Sequence, residues 1–310
     1  MTIIVTGAGG FVGREVVRRL AARGADIVAL DSHPMAGLPA GVRAVVGDIV
    51  SADVRQAAFV RGCSALIHLA TVPGGAAESD PEGARLVNVD AMFDLLGAAA
   101  KLSTCPRVVF ASSIAVLGDP LPLTGVHDQT PLAPRMIYGA HKAMMEVALA
   151  AHSRRGEVDG VSLRLPGILA RPKGPSGMKS AFMSDLFHAL RAGERFVCPV
   201  SPHATIWAQS VSRCADNLLH ALDVEAGCLP EGRALTLPAL HIPMSMLVQE
   251  IADQCGVSAR LVDYAPDPAL QATFGAYPPL STPSADAAGF AHDGDVATLV
   301  RNALAVIARD

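Results

Sequence analysis

Tyr138 and Lys142 stand four residues apart in IYGAHK, in a chain with only three tyrosines and four lysines. On a helix, positions i and i+4 share a face, and side chains lean toward the helix N-terminus, so Lys142 leans back toward Tyr138. A free phenol loses its proton near pH ~10. Nearby positive charge lowers that value and makes a tyrosine a working base close to neutrality. A third group is needed to hold the reacting oxygen. Ser112 and Ser113 end the apolar run RVVFASS, and a hydroxyl can donate to a carbonyl or alkoxide without competing as a base. Together these groups describe proton transfer at a hydroxyl or carbonyl. The plainer alternatives are a chance pairing on a helix surface and serines that cap a strand end.

A second constellation lies at the start of the chain. TGAGGFVG spaces Gly7, Gly10 and Gly13 three apart, with Gly9 between, and the helical pattern REVVRRLAARG follows; Phe11 and Val12 within the loop are candidate cofactor contacts with the glycines. Glycine there allows a tight turn and close approach of backbone N–H groups to a pyrophosphate, and a helix N-terminus adds partial positive charge. Strand before, helix after and an acid ending the next strand sharpen a pattern that is weak alone. That acid is Asp31. A carboxylate there accepts from an adenosine ribose and repels a 2′-phosphate, which favours NAD over NADP. The alternative for Asp31 is a turn residue. Asp48 and Ile49 end the next apolar run, where a third strand would meet the adenine ring; a helix cap is the equal alternative for Asp48.

These groups need a scaffold. Thr2–Thr6, Asp26–Asp31, Arg43–Ile49, Ser64–Ala70, Arg107–Ser113 and Gly160–Pro166 read as strands, with helical patterns between most of them. Strands alternating with helices predict a parallel sheet covered on both faces. Ligands bind at strand carboxyl ends in such sheets, which is where the serines and glycines stand. After Pro166 the pattern changes. LARPKGPSGMKS reads as a long loop, AFMSDLFHALRAG and SMLVQEIADQCG as helices, and HATIWAQSV and RALTLPAL as strands. The expected organisation is a dinucleotide-binding domain over 1–165 and a mainly substrate-binding α+β lobe over 166–310, with segments returning to the first sheet.

The 310 residues are 51% hydrophobic and 17% charged, with net charge −4. A large core is easily built, and the acidic balance argues against nucleic-acid binding. Six scattered cysteines form no CxxC pair and no metal-ligand spacing, which predicts reduced thiols, a cytoplasmic location and no metal. MTIIVTGAGG reads as a strand and not a signal peptide. No uncharged run of membrane length is free of prolines, so no membrane contact is expected.

TGAGGFVG, Asp31, HLA at 68–70, Asn88 in VNVD, SSIAV and YGAHK come one after another in this order. In this the first 170 residues resemble the extended short-chain dehydrogenase/reductases. The resemblance implies a Rossmann-type doubly wound sheet with a smaller C-terminal lobe, and NAD as cofactor. It assigns the general acid/base to Tyr138, and ribose binding and phenol activation to Lys142. Ser113, 25 residues before Tyr138, takes the role of holding the reacting oxygen. Leu69, Ala70 and Asn88 fall near the cofactor, although Asn88 reads equally as a helix cap. Pro166, Gly167 and Ile168 fall beside the nicotinamide. Family members commonly dimerise through two helices, here near Val89–Leu102 and Arg135–Arg154, so a homodimer is implied.

Two departures bear on the reaction. Nucleotide-sugar members carry an asparagine after the sixth strand, where this chain has Pro166-Gly167, and dehydratases carry an acidic pair beside the serine, where SSIAV has none. LRLPGILARPKGP, SRRGEVDG, FVCPVSP and GDPLPL resemble a smaller subgroup, the D-erythronate dehydrogenase-like enzymes, which oxidise short sugar acids with NAD. A small hydroxy acid needs cations or several donors for its carboxylate. Arg171, Lys173 and Lys179 lie in the loop after the sixth strand. Pro73, Gly74 and Gly75 lie in a second loop, expected to be flexible, and Trp207 and Tyr277 are candidate walls. For Arg171, Lys173, Lys179, Trp207 and Tyr277, a solvated charge or a packing role is the plainer alternative. Two other functions stay open: an epimerase with bound NAD acting on a nucleotide sugar, and a non-catalytic NAD-binding protein.

Overall fold

The computed structural model describes residues 2–59, 62–102, 104–118, 120–174 and 179–308. Six strands follow the alternation expected of them: β1 (Thr2–Thr6), β2 (Asp26–Asp31), β3 (Arg43–Val46), β4 (Ala65–His68), β5 (Arg107–Ser113) and β6 (Asp159–Leu165). The middles of β1, β2, β4 and β5 are fully buried, as continuous Val/Ile/Leu/Ala runs require when both faces are covered. The six strands form one parallel sheet in the order β3-β2-β1-β4-β5-β6, and Ala234–Thr236 adds a seventh strand beside β6. This is the Rossmann-type doubly wound order, with its switch point between β1 and β4.

The chain divides into two compact units. The first comprises 1–117, 132–165 and 215–236. The second comprises 118–131, 166–214 and 237–310. It therefore also takes part of the segment between Ser113 and Tyr138, which the sequence pattern places with the first domain.

Within the first unit, Met92, Leu95, Leu96, Met145 and Leu149 join Ile4, Leu66, Val108 and Phe110 in one core cluster. Each fully buried side chain of this size contributes about 1.5–3 kcal/mol over its exposed state. The helices at 91–100 and 137–154 supply the sheet-facing residues. Their other faces show Phe93, Met144 and Val147 at 45%, 53% and 62% exposure.

The stretch expected to be a flexible loop after β4 is partly helical. Gly74–Ser79 is a short helix with Pro73 at its N-cap. Asp80 then caps a second helix by accepting from the Gly83 N–H at 3.0 Å, with Pro81 in the first turn. An Asp-Pro start is a strong helix signal that the neighbouring glycines masked. That helix runs through one π-turn, Leu86–Asp90, into Ala91–Ala100.

The second unit has a three-stranded sheet of Leu240–Pro243, Thr205–Gln209 and Gly167–Ile168, and a parallel pair, Phe196–Cys198 with Val262–Tyr264. Phe182, Leu186, Phe187, Leu247, Ile251 and Leu299 belong to its own core. Of the loop expected after β6, residues 175–178 lie outside the described residues, as does Asp119. Among the described residues no helix is long and apolar enough to cross a membrane.

Candidate active site

The glycine loop is built by close contacts that exclude a side chain. Gly7 has φ +66°, and a Cβ there would lie 2.7 Å from the Ala70 nitrogen. A Cβ on Gly13 would lie 2.1 Å from the Gly7 carbonyl oxygen. The helix Phe11–Ala22 can therefore start directly on the loop. Its N-cap, Gly10, offers no side-chain oxygen, and the first turn holds no acid. The cap thus supplies no side-chain acceptor to the first-turn N–H groups, Phe11 and Val12 among them, as a pyrophosphate cradle requires.

Asp31, at the end of β2, accepts from the Gly9 N–H at 2.9 Å and from the His33 N–H at 3.2 Å. Its carboxylate is tied to the phosphate loop itself. Leu69 and Ala70 lie beside the loop: their N–H groups donate to the carbonyl and hydroxyl oxygens of Thr6 at 3.1 and 3.3 Å. These residues fit NAD in an extended site. Asp48 is exposed and accepts from the Val50 N–H at 2.9 Å, a turn-forming bond, while Ile49 is buried.

Asn88 is not a helix cap. It sits in the π-turn, accepts from Val72 N–H at 2.7 Å and Thr71 Oγ1 at 2.9 Å, and donates to the Val72 carbonyl at 3.0 Å. It pins the chain just after β4, ahead of Pro73, Gly74 and Gly75. Glu78 then accepts from the Ile137 N–H at 2.7 Å, at the start of the helix Ile137–Arg154.

The two serines separate as strand alternation demands. Ser112 is buried and donates to Glu146 at 2.5 Å. Ser113 is half-buried, and its hydroxyl oxygen accepts from the Ala115 N–H at 3.1 Å. Ser113 therefore keeps its own proton for another partner, whereas Ser112 belongs to the interior.

Tyr138 is half-buried in the first turn of its helix. Lys142 is buried, donates to the Ala111 carbonyl at 2.7 Å and places Nζ 5.6 Å from the Tyr138 ring centroid. Its Nζ also lies 4.7 Å from the Phe110 ring centroid. Desolvation pulls Lys142 down to about 7, and the Glu146 carboxylate resists that fall. Glu146 is held by Arg164 through bonds of 2.8, 3.0 and 3.2 Å. Sequence reasoning missed Glu146 and Phe110. Glu146 had a signal: it stands one further helical repeat beyond Lys142 on the same face.

His68 is buried and shares a 2.7 Å hydrogen bond between its Nδ1 and Thr6 Oγ1. Burial, with the Lys142 charge adding to it, pushes its imidazole down to about 3. It is a neutral structural residue.

In the second unit, a Cβ on Gly167 would lie 2.9 Å from the Trp207 carbonyl oxygen, so the chain after Pro166 pairs closely with Thr205–Gln209. Gly167, Ile168, Arg171, Ser180 and Ser184 line a cavity of about 30 Å³. Arg171 is half-buried and donates from Nε to the Ile168 carbonyl at 3.3 Å, while His188 Nε2 donates to the Arg171 carbonyl at 2.6 Å. Lys173 and Lys179 are exposed. Trp207, a candidate wall, is a core residue: it is 1% exposed and its N–H donates to the Pro278 carbonyl at 2.7 Å. Tyr277 packs edge-on against it, centroids 5.0 Å apart.

Comparison with known proteins gives four likenesses. The model of the NAD dependent epimerase/dehydratase family matches residues 3–213. The chain is 35% identical over 270 residues to a D-erythronate dehydrogenase of Cupriavidus necator, covering 83% of this chain and 82% of that one. It is 29% identical to a D-erythronate dehydrogenase of Haemophilus influenzae, with 83% of each covered. Among solved structures, the nucleoside-diphosphate-sugar epimerase of Agrobacterium tumefaciens superposes with TM-score 0.88 at 28% identity, over 97% of this chain and 92% of that one.

Proposed function

The chain belongs to the NAD-dependent epimerase/dehydratase family, and from that premise we propose that it oxidises a secondary hydroxyl of a short sugar acid of the D-erythronate type. NAD, when bound, accepts the hydride. Tyr138 takes the hydroxyl proton, Ser113 holds the same oxygen, and Lys142 supplies the charge that makes the phenol acidic enough. The observation that carries this reading is the Lys142 ammonium, buried 5.6 Å from the Tyr138 ring. Binding a dinucleotide ribose would use the lysine alone; a phenol beside it, with Ser113 ending the neighbouring strand, is what proton transfer adds. The relatives named D-erythronate dehydrogenase support the substrate class. Arg171, Lys173 and Lys179 are the proposed cations for the carboxylate, a role that rests on their charge and their place in the loop after β6.

The protein is further proposed to work in the cytoplasm as a homodimer. Phe93, Met144 and Val147, exposed on the two helices beside the sheet, are the proposed contact, and Val147→Asp should yield a monomer in sedimentation.

The test is nicotinamide reduction by purified protein with a panel of four- to six-carbon sugar acids. Turnover of D-erythronate or a close relative with NAD, lost in Tyr138→Phe, is the expected result. Silence across the panel, with NAD released only on denaturation, would replace this reading with a nucleotide-sugar epimerase, the activity named for the Agrobacterium structure.

A further inference from the structure

A lysine buried to 3% exposure keeps its charge only if its neighbours replace water. Several groups face Lys142. Tyr138 and Glu146 come from its own helix, and β5 supplies the Ala111 carbonyl and the Phe110 ring. From β4, His68 stacks on Phe110 with centroids 5.9 Å apart, and it is neutral. Arg164, from β6, lies beyond Glu146 and occupies its carboxylate, as does Ser112. Ala111 offers one neutral dipole. Glu146 still attracts the ammonium although Arg164 shares its carboxylate, and two ring faces lie within reach, Tyr138 at 5.6 Å and Phe110, nearer, at 4.7 Å; the Phe110 ring is 1% exposed and so acts without competing water. A ring face carries negative quadrupole density and attracts a cation within about 6 Å of its centroid, most strongly where both are desolvated.

We infer that Phe110 is a positioning residue: its ring is the seat that keeps the Lys142 ammonium charged and aimed at Tyr138. The catalytic meaning of this seat rests on the dehydrogenase reading; the seat itself does not. With the ring face weakened, Lys142 loses its proton more easily, and the phenol beside it loses its cation.

The experiment replaces Phe110 with mono-, di- and trifluorinated phenylalanine, which drains the ring face in steps while nearly keeping its size. The chain has only four lysines, so isotope labelling at lysine Cε lets nuclear magnetic resonance follow Lys142 through a pH titration of the NAD-loaded protein. The Lys142 midpoint, which burial draws below the ordinary lysine value, should fall stepwise, by about one pH unit in the trifluorinated form. The kcat–pH profile should move with it while KM for the sugar acid stays put. Phe110→Tyr, which keeps the face, should restore the midpoint. A midpoint that stays flat across the fluorinated series, in protein of unchanged melting temperature, overturns the seat. A moving midpoint without turnover of any sugar acid keeps the seat and sinks the dehydrogenase reading.

Discussion

Gly139 stands so close to Ala115 that a Cβ on it would lie 2.3 Å from the Ala115 carbonyl oxygen and 3.0 Å from the Pro134 side chain. Ala115 comes just after the Ser113 turn and Gly139 just after Tyr138, so this contact fixes the helix start against the turn, next to the two side chains proposed to react. Gly139→Ala should push the helix start off the turn, at a cost of about 1–3 kcal/mol. A misplacement of about 1 Å at reacting groups costs on the order of 100-fold, so kcat should fall by that order with Kd for NAD unchanged. Single-turnover kinetics and isothermal titration check the two halves. A variant with full kcat would show that the close contact is not what aligns the site.

The neighbouring serines should separate cleanly. Ser113→Ala should lower kcat by about 100-fold or more and leave the melting temperature alone. Ser112→Ala removes a buried bond to a carboxylate and should cost about 1–3 kcal/mol, read as a lower urea midpoint, while turnover persists. The reverse pattern would exchange their roles.

Asp31→Asn removes the charge proposed to repel a 2′-phosphate. The ratio of kcat/KM for NAD over NADP should drop by about tenfold or more, equivalent to about 1.4 kcal/mol. Because the same carboxylate accepts from Gly9, KM for NAD should rise as well. An unchanged ratio would place the discrimination elsewhere.

His68 sets an acid limit. Its folded-state value, about 3, lies below the ordinary 6.5, so between these values the unfolded chain binds more protons. The stability it contributes is therefore complete above pH 6.5 and is lost as pH falls toward 3, at up to about 1.4 kcal/mol per pH unit. His68→Gln cannot titrate. Its urea midpoint should vary less than the parent's between pH 6.5 and 4; parallel curves would exclude His68 as the titrating group.

The parts of the site that depend on chain-local spacing were legible in the sequence. Tyr138 and Lys142 lie on one helix, the glycines lie in one turn, and β5 comes out over the residues its apolar run predicted. What escaped depends on strand register. Helical spacing puts Glu146 on the Lys142 face, but its two partners come from register: Ser112 and Arg164 are direct neighbours across β5 and β6, which no periodicity along one segment reveals. Phe110 looked like any core residue of a strand. The stretch after β4 was misread because Pro73, Gly74 and Gly75 suggest a mobile turn, whereas Asn88 and Glu78 tie it down through Val72 and the distant Ile137. Trp207 could be a wall or a core residue on composition alone; only the neighbouring Pro278 carbonyl decides it.

The seventh strand has a consequence for the order in which this molecule can be completed on a ribosome. Ala234–Thr236 covers the outer edge of β6, with Thr236 directly beside Arg164, yet it is made long after β6 emerges. Until then the nascent sheet carries an open row of N–H and C=O groups next to the arginine that anchors Glu146, an invitation to wrong pairing. A fragment ending near residue 165 would keep that edge open, because the compact unit that holds the sheet draws on chain as far as residue 236.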